Sequence, residues 1–139
     1  MMLLIIGGGG TLKQVLFDSG VAEYIKIITI DMKMNPLILA WVVAALLRLA
    51  IGSATVATIT AAGIMLPVAI VSGVKPELMV LVTCSGSLMF SHFNDIGFWM
   101  FKEYYNVSIK QTFQIWTVME SIVGIVGLIT VLIINYFFP

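Results

Sequence analysis

The sequence predicts an all-α integral membrane protein: a re-entrant helical hairpin plus two transmembrane helices, one of them broken. Three observations lead there. Of the 139 residues, 60% are hydrophobic and 10% charged, with a mean hydropathy of +1.11, whereas soluble domains carry about 25% charged residues. One apolar run, 37–71, is too long for a single crossing and too short for two. A second apolar segment contains C-S-G-S-L-M-F-S-H-F-N-D-I-G-F-W (84–99), which brings Ser85, Ser87, Ser91, His92, Asn94 and Asp95 to membrane depth. Polar groups there are costly, and they mark a substrate or ion path.

The composition also excludes. Seven basic and seven acidic residues give a formal net charge of zero, which offers nucleic acid no electrostatic footing. One cysteine, Cys84, rules out a disulfide within the chain, and with a single histidine a structural zinc site has no ligand set. No nucleophile and base are fixed together in a water-facing cleft, so an enzyme is not expected, nor a cofactor.

Residues 1–10, M-M-L-L-I-I-G-G-G-G, lack a basic start and have too short an apolar run for a signal peptide. They read as the stump of a membrane helix, and the chain as a fragment of a longer protein. Gly7–Gly10 lack the spacing of a phosphate-binding loop. In 11–35, Lys13, Asp18, Glu23, Lys26, Asp31 and Lys33 alternate with apolar residues. This is too polar to span and amphipathic enough to lie along the interface as an arm, with Gly20 dividing it.

Asn35-Pro36 is a helix start. The run 37–71 has 35 residues, against about 20 for one crossing, and would be about 52 Å long as one straight helix. The glycine-bounded, hydroxyl-rich stretch 52–63 supplies the turning point, so 37–72 reads as a re-entrant hairpin with its tip at Gly52–Thr55. Irregular backbone at depth is tolerated where it is buried in protein or lines a cavity. Pro67 can kink the returning arm. Pro76 starts the next helix, and 78–101 is a crossing that Gly86 and Gly97 weaken. On a helix, Ser87, Ser91, Asn94 and Asp95 would share one face, with Leu88, Met89, Phe93 and Ile96 turned towards lipid or other helices. Trp99, Phe101, Tyr104 and Tyr105 form an aromatic belt. The last crossing is 116–138, with Trp116 at one interface and Tyr136, Phe137 and Phe138 at the other. Glu120 is a structural group one turn inside it.

Several residues carry chemistry. Arg48 pairs with a substrate carboxylate or with Asp95; the alternative is a guanidinium that snorkels or bonds carbonyls at the hairpin tip. His92 and Asp95, three apart, are spaced to share a proton on a helix, unless His92 packs and Asp95 caps a helix at the break. Ser53, Thr55, Ser85 and Ser87 can donate to a polyhydroxylated anion, and singly each also suits small-residue helix packing. Cys84 reads as packing.

Three segments are similar to a known family. G-G-G-G-T-L-K-Q-V-L-F-D-S-G-V (7–21), L-R-L-A-I-G-S-A-T-V-A-T-I-T-A-A-G (47–63) and above all G-S-L-M-F-S-H-F-N-D-I-G-F-W-M-F-K-E-Y-Y (86–105) resemble the C-terminal third of the gluconate permease family of gluconate:proton symporters. The resemblance implies half of an inverted-repeat ion-transporter fold in the bacterial inner membrane, multi-pass. In it, 37–72 is the hairpin and 78–101 the broken helix. It implies a sugar acid such as gluconate bound between Gly52, Ser53 and Thr55 on one side and Ser85, Ser87 and Asn94 on the other. Arg48, His92 and Asp95 then handle charge and the coupling proton. The partners expected are the sugar acid, the lipid bilayer, and either a separate N-terminal half or further copies of the chain. A second expectation is a non-transporting fragment, either an assembly partner for such a half or an inert remnant.

Overall fold

The computed structural model describes residues 34–138 together with Thr11, Val15 and 18–20. The stump expected over 1–10 and most of the arm expected over 11–35 lie outside the described residues. All regular structure among the described residues is helical.

Helix α1 (Pro36–Ile51) begins where the Asn35 side chain accepts from Leu37 N at 2.9 Å, with Pro36 in its first turn. It ends at Gly52, whose φ of 78° lets its N–H return to the Arg48 carbonyl, a left-handed stop that glycine adopts without steric cost. One residue later Ser53 caps α2 (Ala54–Ser72), accepting from Val56 N. Two helices joined this tightly fold back antiparallel. Leu37 and Ala40, early in α1, accordingly share a core with Met65 and Val68, late in α2. Ala40, Ala44 and Ala45 of α1, like Ala57 and Ala61 of α2, are buried; small side chains let helices approach closely.

Helix α3 (Pro76–Gly86) packs on both arms of the hairpin, adding Leu78, Met79 and Val82 to that core. Its last residue shows how tight the fit is. A Cβ on Gly86 would lie 2.5 Å from the Trp41 carbonyl oxygen and 3.0 Å from the Ala44 Cβ. Gly86→Ala should therefore cost about 1–3 kcal/mol, the usual penalty for overpacking, measurable as a lowered unfolding midpoint in a bilayer mimetic.

The chain leaves the helix after Gly86 and resumes at α4 (Ile96–Tyr104). Ser108 and Gln111 then form a reciprocal capping box that starts a continuous helix, Ile109–Phe137, of 29 residues. It comprises α5 (Ile109–Thr112), a π-helical stretch (Phe113–Thr117) and α6 (Val118–Phe137). This helix alone, among the described residues, is long and apolar enough to cross a membrane. Ile122, Val126, Ile129 and Ile133 are about half exposed along it, a surface suited to lipid or further protein.

Three sequence expectations need correction. The last helix starts at Ile109 rather than at residue 116, because the Ser108–Gln111 box initiates it, so Lys110 lies in a helical turn. Trp116 is consequently inside the helix, where its indole is hydrogen-bonded within the protein. Residues 87–95 form turns instead of a helical face, so Ser87, Ser91, Asn94 and Asp95 do not form a stripe. Side chains that bond their own backbone loosen the helix before the break: Thr83 to the Met79 carbonyl, Ser85 to Val82 and Ser87 to Cys84. Phe90 sits there at a φ of 53°, a conformation that costs a bulky L-residue about 1–2 kcal/mol and that the surrounding contacts must hold. Met89, expected to turn towards lipid or another helix, is buried against Gly124 of the long helix, whereas Cys84, expected to pack, is exposed.

Candidate functional site at the hairpin tip and the helix break

The last turn of α1 delivers Arg48 to the hairpin tip with its side chain only 2% exposed. Its Nη1 donates to the Gly52 carbonyl at 2.6 Å. Its Nη2 donates at 2.6 Å to Oδ2 of Asp95, itself 13% exposed. Both sequence alternatives for Arg48 are thus realised together: it holds a carbonyl at the tip and pairs with Asp95. The third nitrogen, Nε, is buried without a hydrogen-bond partner among the described residues. A buried N–H left unpaired costs about 1–3 kcal/mol.

Asp95 is held from three directions. Oδ2 also accepts from the Ser91 hydroxyl, and Oδ1 accepts from Gly97 N at 3.0 Å, which makes Asp95 the N-cap of α4. Ser91 Oγ in turn accepts from Trp116 Nε1 at 2.8 Å, and Thr117 Oγ1 donates to the Ser91 carbonyl. Phe90 N donates to Ser121 Oγ at 3.3 Å. The long helix therefore grips the break along its first turns, and the break grips the hairpin.

Further contacts join the tip to the break. Asn94 Nδ2 donates to the Leu49 carbonyl at 2.9 Å, and Gly52 packs against the Asn94 main chain. Thr58 Oγ1, one turn into α2, donates at 2.7 Å to Ser87 Oγ, which donates at 2.8 Å to the Cys84 carbonyl.

The structure brings together Arg48, Asp95, Gly52, Asn94 and Ser87. Ser53 lies at the tip as the cap of α2, and Thr55 is exposed beside it. Ser85 is turned away: its hydroxyl returns to the Val82 carbonyl and its Cβ would crowd any side chain at Gly127 on α6. The side chains of His92 and Asp95 do not bond each other; only the main chains meet, Asp95 N donating to the His92 carbonyl at 2.8 Å. His92 Nδ1 meets the Phe90 carbonyl at 2.8 Å, and the ring stands edge-on to Phe93 at 4.8 Å; the three-residue spacing joins side chains only on a helix, and none runs there. Sequence reasoning missed Thr58, Ser91, Trp116, Thr117 and Ser121. A usable signal existed, because Trp116, Thr117, Glu120 and Ser121 cluster on one face of the first turns of an otherwise apolar helix. Among the described residues no group of His, Cys, Asp and Glu is placed to hold a metal ion.

A buried ion pair and a chain of hydroxyls at the junction of two interrupted helices, packed against a helix long and apolar enough to span a bilayer, are the internal polar site and the apolar exterior of a membrane protein, and the family to which the chain belongs agrees. The chain belongs to the GntP family of permeases, whose family model matches residues 1–137. It is 54% identical, over 97% of its length, to a high-affinity gluconate transporter of Escherichia coli K12, and 53% identical over 97% to the Gnt-II system L-idonate transporter of that strain. A gluconate permease of Pseudomonas aeruginosa is 50% identical over 96% of the chain. The chain spans 31%, 31% and 30% of these three relatives, so it aligns with each as a fragment, and they are named as transporters or permeases, not enzymes. No solved structure matches it.

Proposed function

We propose that this chain is the C-terminal, substrate-binding part of a secondary transporter that takes gluconate or a related sugar acid across the bacterial inner membrane with a proton. The observation that carries the reading is the buried Arg48–Asp95 pair with its unpartnered Nε. A guanidinium recognises a carboxylate by paired N–H donors, so a sugar-acid carboxylate can replace Asp95 on Arg48 or engage its spare donor. The N-termini of α2 and α4 start on either side of this pair and add N–H groups and positive dipole for an anion. Ser53, Thr58, Ser87 and Asn94 suit the hydroxyls of a polyol, and Thr55 lies near enough to the tip to join them.

In this reading 37–72 is a re-entrant hairpin, 78–101 a broken crossing and 109–137 a full one, together half of an inverted-repeat transporter. Exchange of Asp95 for substrate on Arg48 changes what ties the tip to the break, which gives ligand binding differential contacts in two states, as alternating access requires. The names of the gluconate and L-idonate transporters among its relatives support the substrate class.

The test is uptake of labelled gluconate by energised vesicles containing this chain alone, and then with the complementary N-terminal portion of the family co-expressed. We expect accumulation in the second preparation, dependent on the proton gradient. Accumulation with the chain alone would mean that copies of it complete the pathway. If neither preparation accumulates gluconate, the transport reading is wrong.

A further inference from the structure

Glu120 stands beside the site and takes no part in its hydrogen bonds. Trp116, Glu120 and Gly124, and beside them Thr117 and Ser121, recur four residues apart on the long helix and so share one arc of it, with Glu120 between Trp116 and Gly124. Every other residue on that arc meets the break. Trp116 and Thr117 donate to Ser91, and Ser121 accepts from Phe90 N. A Cβ on Gly124 would lie 2.9 Å from the Met89 sulfur. Glu120 is thus on the face of the helix that meets the break, half-buried, one turn beyond Trp116, whose indole donates to the Ser91 that in turn bonds Asp95. Among the described residues its side chain has no hydrogen-bond partner.

The two carboxylates differ in availability. Asp95 is occupied by Arg48, Ser91 and Gly97 N, whereas among the described residues neither oxygen of Glu120 is engaged, which leaves them to take a proton. Charge then couples proton to substrate. Arg48 and Asp95 cancel, and Glu120 leaves the empty site at one negative charge. A sugar-acid anion would make it two, and a proton on Glu120 restores one. Each ligand therefore favours the other, and the coupling is reciprocal. The charged groups that the break brings to this face of the long helix are Asp95 and, through it, Arg48 of α1. Helix α3 carries only Glu77, at its opposite end, Lys102 and Glu103 of α4 bond each other, and His92 is turned to the Phe90 carbonyl.

We propose that Glu120 is the proton-carrying group of the site: it binds one proton as an O–H together with the anionic substrate and returns it to water when the substrate leaves. This rests on the transport reading above.

The test compares two modes in the preparation that takes up gluconate: accumulation driven by a proton gradient, and exchange of labelled for unlabelled gluconate with no gradient. Glu120→Gln should lower driven accumulation by about tenfold or more, within the usual range of coupling effects, while exchange stays within about threefold. Glu120→Asp should restore accumulation. Wild-type accumulation by Glu120→Gln would overturn the proposal. So would equal loss of both modes in the Gln and Asp variants, which is the mark of a positioning role. Failure of the unsubstituted protein to exchange gluconate would instead overturn the transport reading, and this inference with it.

Discussion

Replacing Arg48 by alanine should abolish gluconate uptake and lower stability by roughly 3–5 kcal/mol, the cost of stranding one member of a buried ion pair. Two groups lose a donor: the Asp95 carboxylate, 13% exposed, loses its only cationic one, and the Gly52 carbonyl at the end of α1 loses Nη1. Lysine will not substitute, because a single ammonium cannot reproduce the fork that reaches the tip carbonyl and the carboxylate together. The double variant Arg48→Met with Asp95→Asn separates structure from function. It removes both charges, so stability should return to within about 1–2 kcal/mol of the unsubstituted chain, since buried pairs exchanged for neutral side chains of similar volume are often neutral. Uptake should stay lost. Recovery of uptake by the double variant would show that Arg48 serves only to neutralise Asp95, and the carboxylate-binding role would be withdrawn. Stability is read from unfolding in a bilayer mimetic, uptake from the vesicle assay.

Local chemistry makes parts of this arrangement legible. A run of 35 apolar residues with Gly52-Ser53 in its middle has few ways to fold other than back on itself, and the glycine and serine are the cap residues that the observed turn uses. The break is legible for a similar reason: Gly86, Ser85 and Ser87 weaken a helix, and Asp95 followed by Ile96-Gly97 reads as a new start. Periodicity fails across that break. Grouping Ser87, Ser91, Asn94 and Asp95 on one face, and His92 with Asp95, presupposes 3.6-residue geometry where the backbone has already left it. The partners of Asp95 are set instead by tertiary approach, 47 residues away in sequence for Arg48, and no local pattern encodes that. The polar face of the long helix is hidden when Trp116 is assigned to an interface. The S-I-K-Q capping box at 108–111, a signal present in the sequence, starts the helix earlier and brings Trp116, Thr117, Glu120 and Ser121 inside it.

Gly52→Ala should destabilise the chain by about 2–5 kcal/mol and reduce uptake in proportion, through two separable effects. The first is backbone strain: at a φ of 78° an L-residue costs about 1–2 kcal/mol. The second is collision. A Cβ there would overlap the Asn94 carbonyl oxygen and lie 2.6 Å from Asn94 Cγ and 2.9 Å from its carbonyl carbon, forcing tip and break apart at an overpacking cost of about 1–3 kcal/mol. Gly73→Ala is the matched control. Gly73 ends α2 at a φ of 67°, and a Cβ added to it would meet nothing within 4 Å, so it should show the strain alone, about 1–2 kcal/mol, with uptake preserved. Adding Asn94→Ala to Gly52→Ala should not restore stability, because the nearest obstacle is main-chain oxygen and the bond from Asn94 to the Leu49 carbonyl is lost as well. Equal losses for Gly52→Ala and Gly73→Ala would mean that the tip and the break are not in contact in the membrane. The ion pair that spans them, and the site built on it, would then have to be placed elsewhere.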